Sequence, residues 1–131
     1  MLWQGTSLNW TKPQTSFWVG RLDFFGENDS RISIFMYTDD NGDLYFSSLN
    51  KKIVMMTVPK DEWCNVRFEL HSQSLLLYLN NELQQELSVY DIWPNYTGLI
   101  GNITSFKIEN RCYLTDYLYK LDNTYISAMT E

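Results

Sequence analysis

The sequence predicts an all-β protein, an antiparallel β-sandwich, and three observations carry that expectation. Aromatic residues make up 16% of the chain while Ala occurs once, a balance that favours strands over helices. Val66, Phe68 and Leu70 alternate strictly with Asn65, Arg67 and Glu69, the period of a half-buried strand. Asn41-Gly42 stands between two alternating runs, the strongest short-range signal for a hairpin. At 131 residues, 1–131 reads as a single domain with one core.

The elements follow in chain order. Met1 to Pro13 reads as an edge strand and lead-in. Thr15 to Phe25 is a strand in which Phe17, Val19 and Arg21 oppose Trp18, Gly20, Leu22 and Phe24. Arg31 to Thr38 is a second, with Ile32, Ile34 and Met36 on one face and Ser33, Phe35 and Tyr37 on the other. Leu44 to Leu49 returns as its hairpin partner, and Ile53 to Val58 is the next strand. The central hairpin lies between Glu62 and Asn81. Its second strand, Leu75 to Leu79, is almost wholly apolar, as expected of a strand covered on both faces. Asn80-Asn81 closes it, a pair that tolerates the left-handed backbone of a tight turn. Leu83 to Val89, Ile103 to Glu109 and Leu118 to Ser127 supply the remaining strands, and Tyr90 to Gly101 is the longest irregular segment. Trp63, Val66, Phe68 and Phe106 are assigned to the core.

Together these residues carry a resemblance. W-x-x-V-x-F from Trp63, a turn, then L-x-L-Y-L-N-N resembles the central hairpin of the concanavalin A-like lectin/glucanase superfamily, which includes the laminin G-like domains. Gly98 to Ile103 resembles that family's G-x-I-G-x-I entry into a late strand, and Tyr119 to Ile126 its closing Y-x-x-D-N-x-x-I strand. The resemblance implies a jelly roll, in a compact variant because members are commonly larger. It also implies an extracellular, cell-surface or virion setting, as a module of a larger surface or virion protein.

Charge narrows the function classes. The formal net charge is −6, whereas nucleic-acid binding draws on a basic surface, so no nucleic-acid partner is expected. No apolar run approaches the ~20 residues of a membrane-spanning helix, so no membrane insertion is expected. Catalysis lacks a signature. Retaining glycosidases set two carboxylates ~5.5 Å apart, and the nearest pattern here, Glu27-Asn28-Asp29, reads as a turn. His71 is the only histidine and falls in a turn as well. No cofactor and no metal site is assigned. Asp39 to Asp43 resembles the start of a calcium loop but lacks the later Gly and Glu, and it reads as a hairpin turn. Calcium held by loops of distant sequence stays open, as does a disulfide between Cys64 and Cys112.

What remains is an aromatic ligand platform. The segment Tyr90 to Tyr96, YDIWPNY, sets Tyr90, Trp93 and Tyr96 beside Asp91 and Asn95 on a loop stiffened by Pro94. Tyr37 and Tyr45 add a second aromatic group, paired across the Asn41-Gly42 hairpin. Sugars stack their C–H faces on such rings and bond their hydroxyls to neighbouring amides and carboxylates. The leading expectation is a non-catalytic carbohydrate-binding or adhesion module whose partner is a glycan or other surface ligand. In that reading Trp93→Ala removes glycan binding and leaves the fold intact, although Trp93 can equally plug the end of a sandwich. The alternative is a structural or assembly module, such as a decoration or tail-appendage domain, whose aromatics meet a protein partner or a second copy in a homo-oligomer.

Overall fold

A computed structural model describes residues 2–11, 17–26, 31–39, 43–48, 53–59, 62–94, 105–110 and 118–127. Side chains are described over 19–26, 31–39, 43–48, 53–59 and 62–94, and at Lys107 and Glu109. Pro13, Asn41-Gly42, Asn95, Tyr96, Gly98 to Asn102, Cys112 and the Phe106 side chain lie outside the described residues.

Ten strands and one helical turn occur among the described residues. They are β1 (Leu2–Thr11), β2 (Phe17–Phe25), β3 (Arg31–Thr38), β4 (Leu44–Ser48), β5 (Ile53–Val58), β6 (Cys64–Leu70), β7 (Ser74–Leu79), β8 (Glu82–Ser88), α1 (Val89–Ile92), β9 (Ser105–Asn110) and β10 (Leu118–Ser127). The first sheet runs β10-β1-β6-β7-β8 and the second β5-β4-β3-β2-β9. Every neighbouring pair is antiparallel. The protein is therefore all-β and sandwich-like.

Alternation fills the space between the sheets. Ile32, Ile34, Met36, Leu44 and Phe46 come from the second sheet; Cys64, Val66, Phe68, Leu75 and Leu77 come from the first. Phe46 and Phe68 meet across that space edge to face, with centroids 5.1 Å apart. Burying either ring contributes roughly 1.5–3 kcal/mol, so this contact is a principal tie between the layers.

Three expectations change. β1 is an interior strand, with β10 on one side and β6 on the other, because the C-terminal strand returns to pair with the N-terminal one. Its register against β6 shifts between Gly5 and Leu8, which absorbs one extra residue there. Trp63 is not in the core but 51% exposed. It precedes the first residue of β6, and Val66 is three positions on, which in a strand is the opposite parity. Val19 and Leu22, also three apart, are nonetheless both buried, because a register shift between Trp18 and Gly20 resets the alternation.

The β7–β8 turn follows the sequence reading. Asn80 and Asn81 have φ of 51° and 65°, the doubly left-handed backbone of a two-residue hairpin. Asn80 also extends the ladder: its amide donates to the Asn65 carbonyl at 2.8 Å, and its Oδ1 accepts from the Asn65 amide at 2.9 Å.

Candidate functional site

The outward side of the second sheet is built from the residues of β2, β3, β4 and β9 that alternate with the core. Directly opposed on β3 and β4, Tyr37 and Tyr45 stack with centroids 5.8 Å apart and planes 17° from parallel. Both rings are half-buried, leaving aromatic surface open to a ligand. Burial pushes the Tyr37 phenol above its ordinary range, and the neighbouring Tyr45 adds to the shift.

One and two rows further along β3 come Phe35 and Ser33, and opposite them on β2 stand Arg21 and Asp23. Asp23 is 1% exposed, although it lies on the outward side. A carboxylate so placed needs partners. The Arg21 Nε lies 2.9 Å from Asp23 Oδ2, and the Ser33 hydroxyl donates to Asp23 Oδ1 at 2.5 Å. The same Nε lies 3.0 Å from Glu109 Oε2 on β9, which opposes Arg21 in the ladder. The two carboxylates thus flank one guanidinium, an ionic clasp that ties β2 to both neighbours. Sequence reasoning did not single out this cluster. Its signal was the Arg21-x-Asp23 alternation inside an apolar strand; the β9 partner, far along the chain, was invisible.

The second aromatic group sits on α1 and its C-cap. A helical turn, not loop, covers the start of the segment read as irregular. Ser88 caps it by accepting the Tyr90 amide at 3.3 Å, and Val89 and Ile92 are buried. Tyr90, 50% exposed, and Asp91 face solvent. Trp93 is partly buried against the core cluster, and its Nε1 donates to the Ser33 carbonyl at 3.1 Å. β4 pairs with β3 only from Phe35 to Thr38, so the indole serves β3 just beyond the end of that ladder. The Ser48 hydroxyl fastens the same turn through the Ile92 carbonyl at 2.9 Å. Trp93 therefore plugs one end of the sandwich and presents only part of its ring outward. Ser33 and Tyr37 lie four residues apart on β3, so the Trp93 anchor and the tyrosine pair are separated by roughly 13 Å along the strand.

Other candidates resolve simply. Asp39 Oδ1 accepts the Asp43 amide at 2.8 Å, which spends one carboxylate oxygen on closing the hairpin. Among the described residues, no group of three or more His, Cys, Asp or Glu is placed to hold a metal ion. Cys64 is a buried thiol whose pKa is pushed up to about 11 by burial and, secondarily, by the charge of Glu62. His71 Nε2 sits 3.3 Å from Glu69 Oε1. No helix among the described residues is long and apolar enough to cross a membrane.

No protein-family model, curated protein or solved structure matches the chain. Its class is accordingly read from its own geometry: an all-β protein of two antiparallel five-stranded sheets, with an aromatic and ionic outward surface on one of them.

Proposed function

We propose that the protein is a non-catalytic carbohydrate-binding or adhesion module on a compact concanavalin A-like jelly roll, working in an extracellular, cell-surface or virion setting. The observation that carries this reading is the Tyr37–Tyr45 stack, half-open and set on a rigid sheet one row from Arg21. The part of the stacked pair left open offers apolar aromatic surface to the C–H groups of a sugar. Arg21, one row along, stands nearest to bond its hydroxyls, while Ser33 and the Tyr90–Asp91 turn, roughly 13 Å along β3, would be met only by further units of a longer glycan. The reading is non-catalytic because Asp23 and Glu109, the paired carboxylates of this surface, close on a guanidinium instead of on a substrate-sized gap.

A glycan-array screen, run with and without calcium on wild type and on the Tyr37→Ala/Tyr45→Ala double variant, tests it. A reproducible wild-type signal that the double variant loses supports the reading. Silence from well-folded wild type overturns it.

A further inference from the structure

The Tyr37–Tyr45 pair belongs to a longer run, and the inference drawn from that run rests on the glycan reading of the pair. β3 is the middle strand of the second sheet. Its outward residues are, in order, Arg31, Ser33, Phe35 and Tyr37, with Asp39 just past its end. Arg31 is exposed and the other four are half-buried, alternating with the buried Ile32, Ile34, Met36 and Thr38. The run is therefore aromatic in the middle and polar at both ends. Phe35 lies one row from the tyrosine pair, roughly 7 Å along the strand. Its neighbours across the sheet are Ser47 on β4 and Arg21 on β2. Ser47 is too short to wall off the ring, and Arg21 is drawn toward Asp23 and Glu109. On the outward side of the first sheet, by contrast, Tyr78 already carries the Arg67 guanidinium over its ring, 3.9 Å from the centroid. There β7 meets the expectation of cover on both faces on the core side alone, since Leu75 and Leu77 are fully buried while Leu76 and Tyr78 are half-buried.

Length decides what the β3 run takes. Ser33 and Asp39 are separated by roughly 20 Å of extended strand, further than one sugar ring reaches. A single sugar on the tyrosine pair leaves the open part of Phe35 to water. A chain of linked sugars laid along β3 covers Phe35 as well, and brings hydroxyls to Ser33 at one end and to Asp39 at the other. Both ends are fixed in place. The Ser33 hydroxyl gives its proton to Asp23 and keeps an oxygen that can accept, and Asp39 is held by the bond from the Asp43 amide.

We propose that this surface takes a linear oligosaccharide laid along β3, with Phe35 as its second stacking residue, and discriminates against single sugars. Cello-, manno- and chito-oligosaccharides, each from monosaccharide to hexasaccharide, are titrated into the full chain by isothermal calorimetry. Within a series that binds, affinity is expected to rise about tenfold between disaccharide and hexasaccharide, the gain that burying the open part of one aromatic ring supplies. Phe35→Ala should remove most of that rise. Phe35→Leu, which keeps bulk and removes the flat ring, should do the same, and it keeps the test decisive if the Ala variant folds poorly. The Tyr37→Ala/Tyr45→Ala variant should instead lose short and long oligomers alike. The proposal is overturned, with the glycan reading intact, if a monosaccharide or disaccharide binds as tightly as the hexasaccharide, or if neither Phe35 variant changes the length dependence. Silence of all three series against well-folded wild type also overturns it; silence of the glycan array as well removes the reading beneath it.

Discussion

Gln85 and Val54 join the edges of two different sheets. The Gln85 Nε2, on β8 of the first sheet, donates to the Val54 carbonyl at 2.8 Å and to the adjoining Met55 carbonyl on β5 of the second. Two successive carbonyls can turn to one amide because β5 carries an extra residue there: its register against β4 shifts between Phe46 and Ser47. The same irregularity sends both Met55 and Met56 into the core. β5 is an apolar edge strand with Val54 49% exposed, the kind of edge that recruits other chains. The amide clasp covers part of it.

Gln85→Leu retains bulk but removes both donors. The loss expected is about 1–2 kcal/mol, the ordinary cost of leaving partly buried carbonyls without their bonds. Urea unfolding should show a lower midpoint with an unchanged slope, and light scattering should show faster aggregation of the variant. An unchanged midpoint would mean that solvent replaces the clasp without cost.

Trp93 separates a structural role from a binding one. Trp93→Phe keeps an aromatic plug and removes only the bond to the Ser33 carbonyl, with an expected cost of about 1 kcal/mol. Trp93→Ala also removes the packing against the core cluster and should cost about 2–3 kcal/mol, less than a fully buried Trp. Denaturation midpoints of the two variants give these costs. Any glycan signal should survive in the Phe variant. Its loss in both variants at full folding would return the indole to the ligand surface.

The periodic parts of the fold were legible. The alternation of β3 and β6 gave the inward set correctly, and Asn80-Asn81 marked a left-handed turn that the backbone adopts. Tyr37 and Tyr45 could be paired because a short hairpin joins them and local chemistry sets its register. What failed depended on non-local or off-period events. One inserted residue near Val19 inverts the parity of a strand, and Gly20 beside it, a residue that often marks a bulge, was the only local sign. The interior position of β1 depends on a strand more than a hundred residues later. Glu109 joins the clasp only once β9 is laid beside β2. Trp63 was assigned by its bulk, and parity from Val66 would have been the better guide.

The Arg21–Asp23 pair is mostly sequestered, with 25% and 1% of the two side chains exposed. Removing Asp23 leaves the Ser33 hydroxyl and one side of the guanidinium without their acceptor. Asp23→Ala should cost about 2–4 kcal/mol, within the range for breaking a buried charged hydrogen-bond pair. Arg21→Ala should cost a similar amount because it strands the buried carboxylate. The double variant should cost clearly less than the two together, since the second change removes a group already stranded by the first. Additive losses in a double-mutant cycle by urea unfolding would show that the two side chains contribute separately.

Cys64 gives a pH dependence with a definite sign. Its thiol has an ordinary value of 9.0 and is raised to about 11 in the folded chain. Below pH 9 it is neutral in both states and costs nothing. Above pH 9 the unfolded thiol ionises while the folded one resists, so protons are lost preferentially from the unfolded state and stability falls. The slope is at most about 1.4 kcal/mol per pH unit between the two values, and it flattens above the folded one. Cys64→Ser would bury a hydroxyl against Val66 and its neighbours, so Cys64→Ala is the cleaner comparison. That variant starts from a lower stability through lost packing, yet between pH 9 and 11 its unfolding free energy should decline less steeply than wild type. In a Cys112→Ala background at pH 8, native Cys64 should also react with a thiol reagent far more slowly than in the urea-unfolded chain, because a buried, protonated thiol is a poor nucleophile. Equal slopes for the two proteins, together with rapid modification of native Cys64 in the Cys112→Ala background, would place the thiol in contact with solvent.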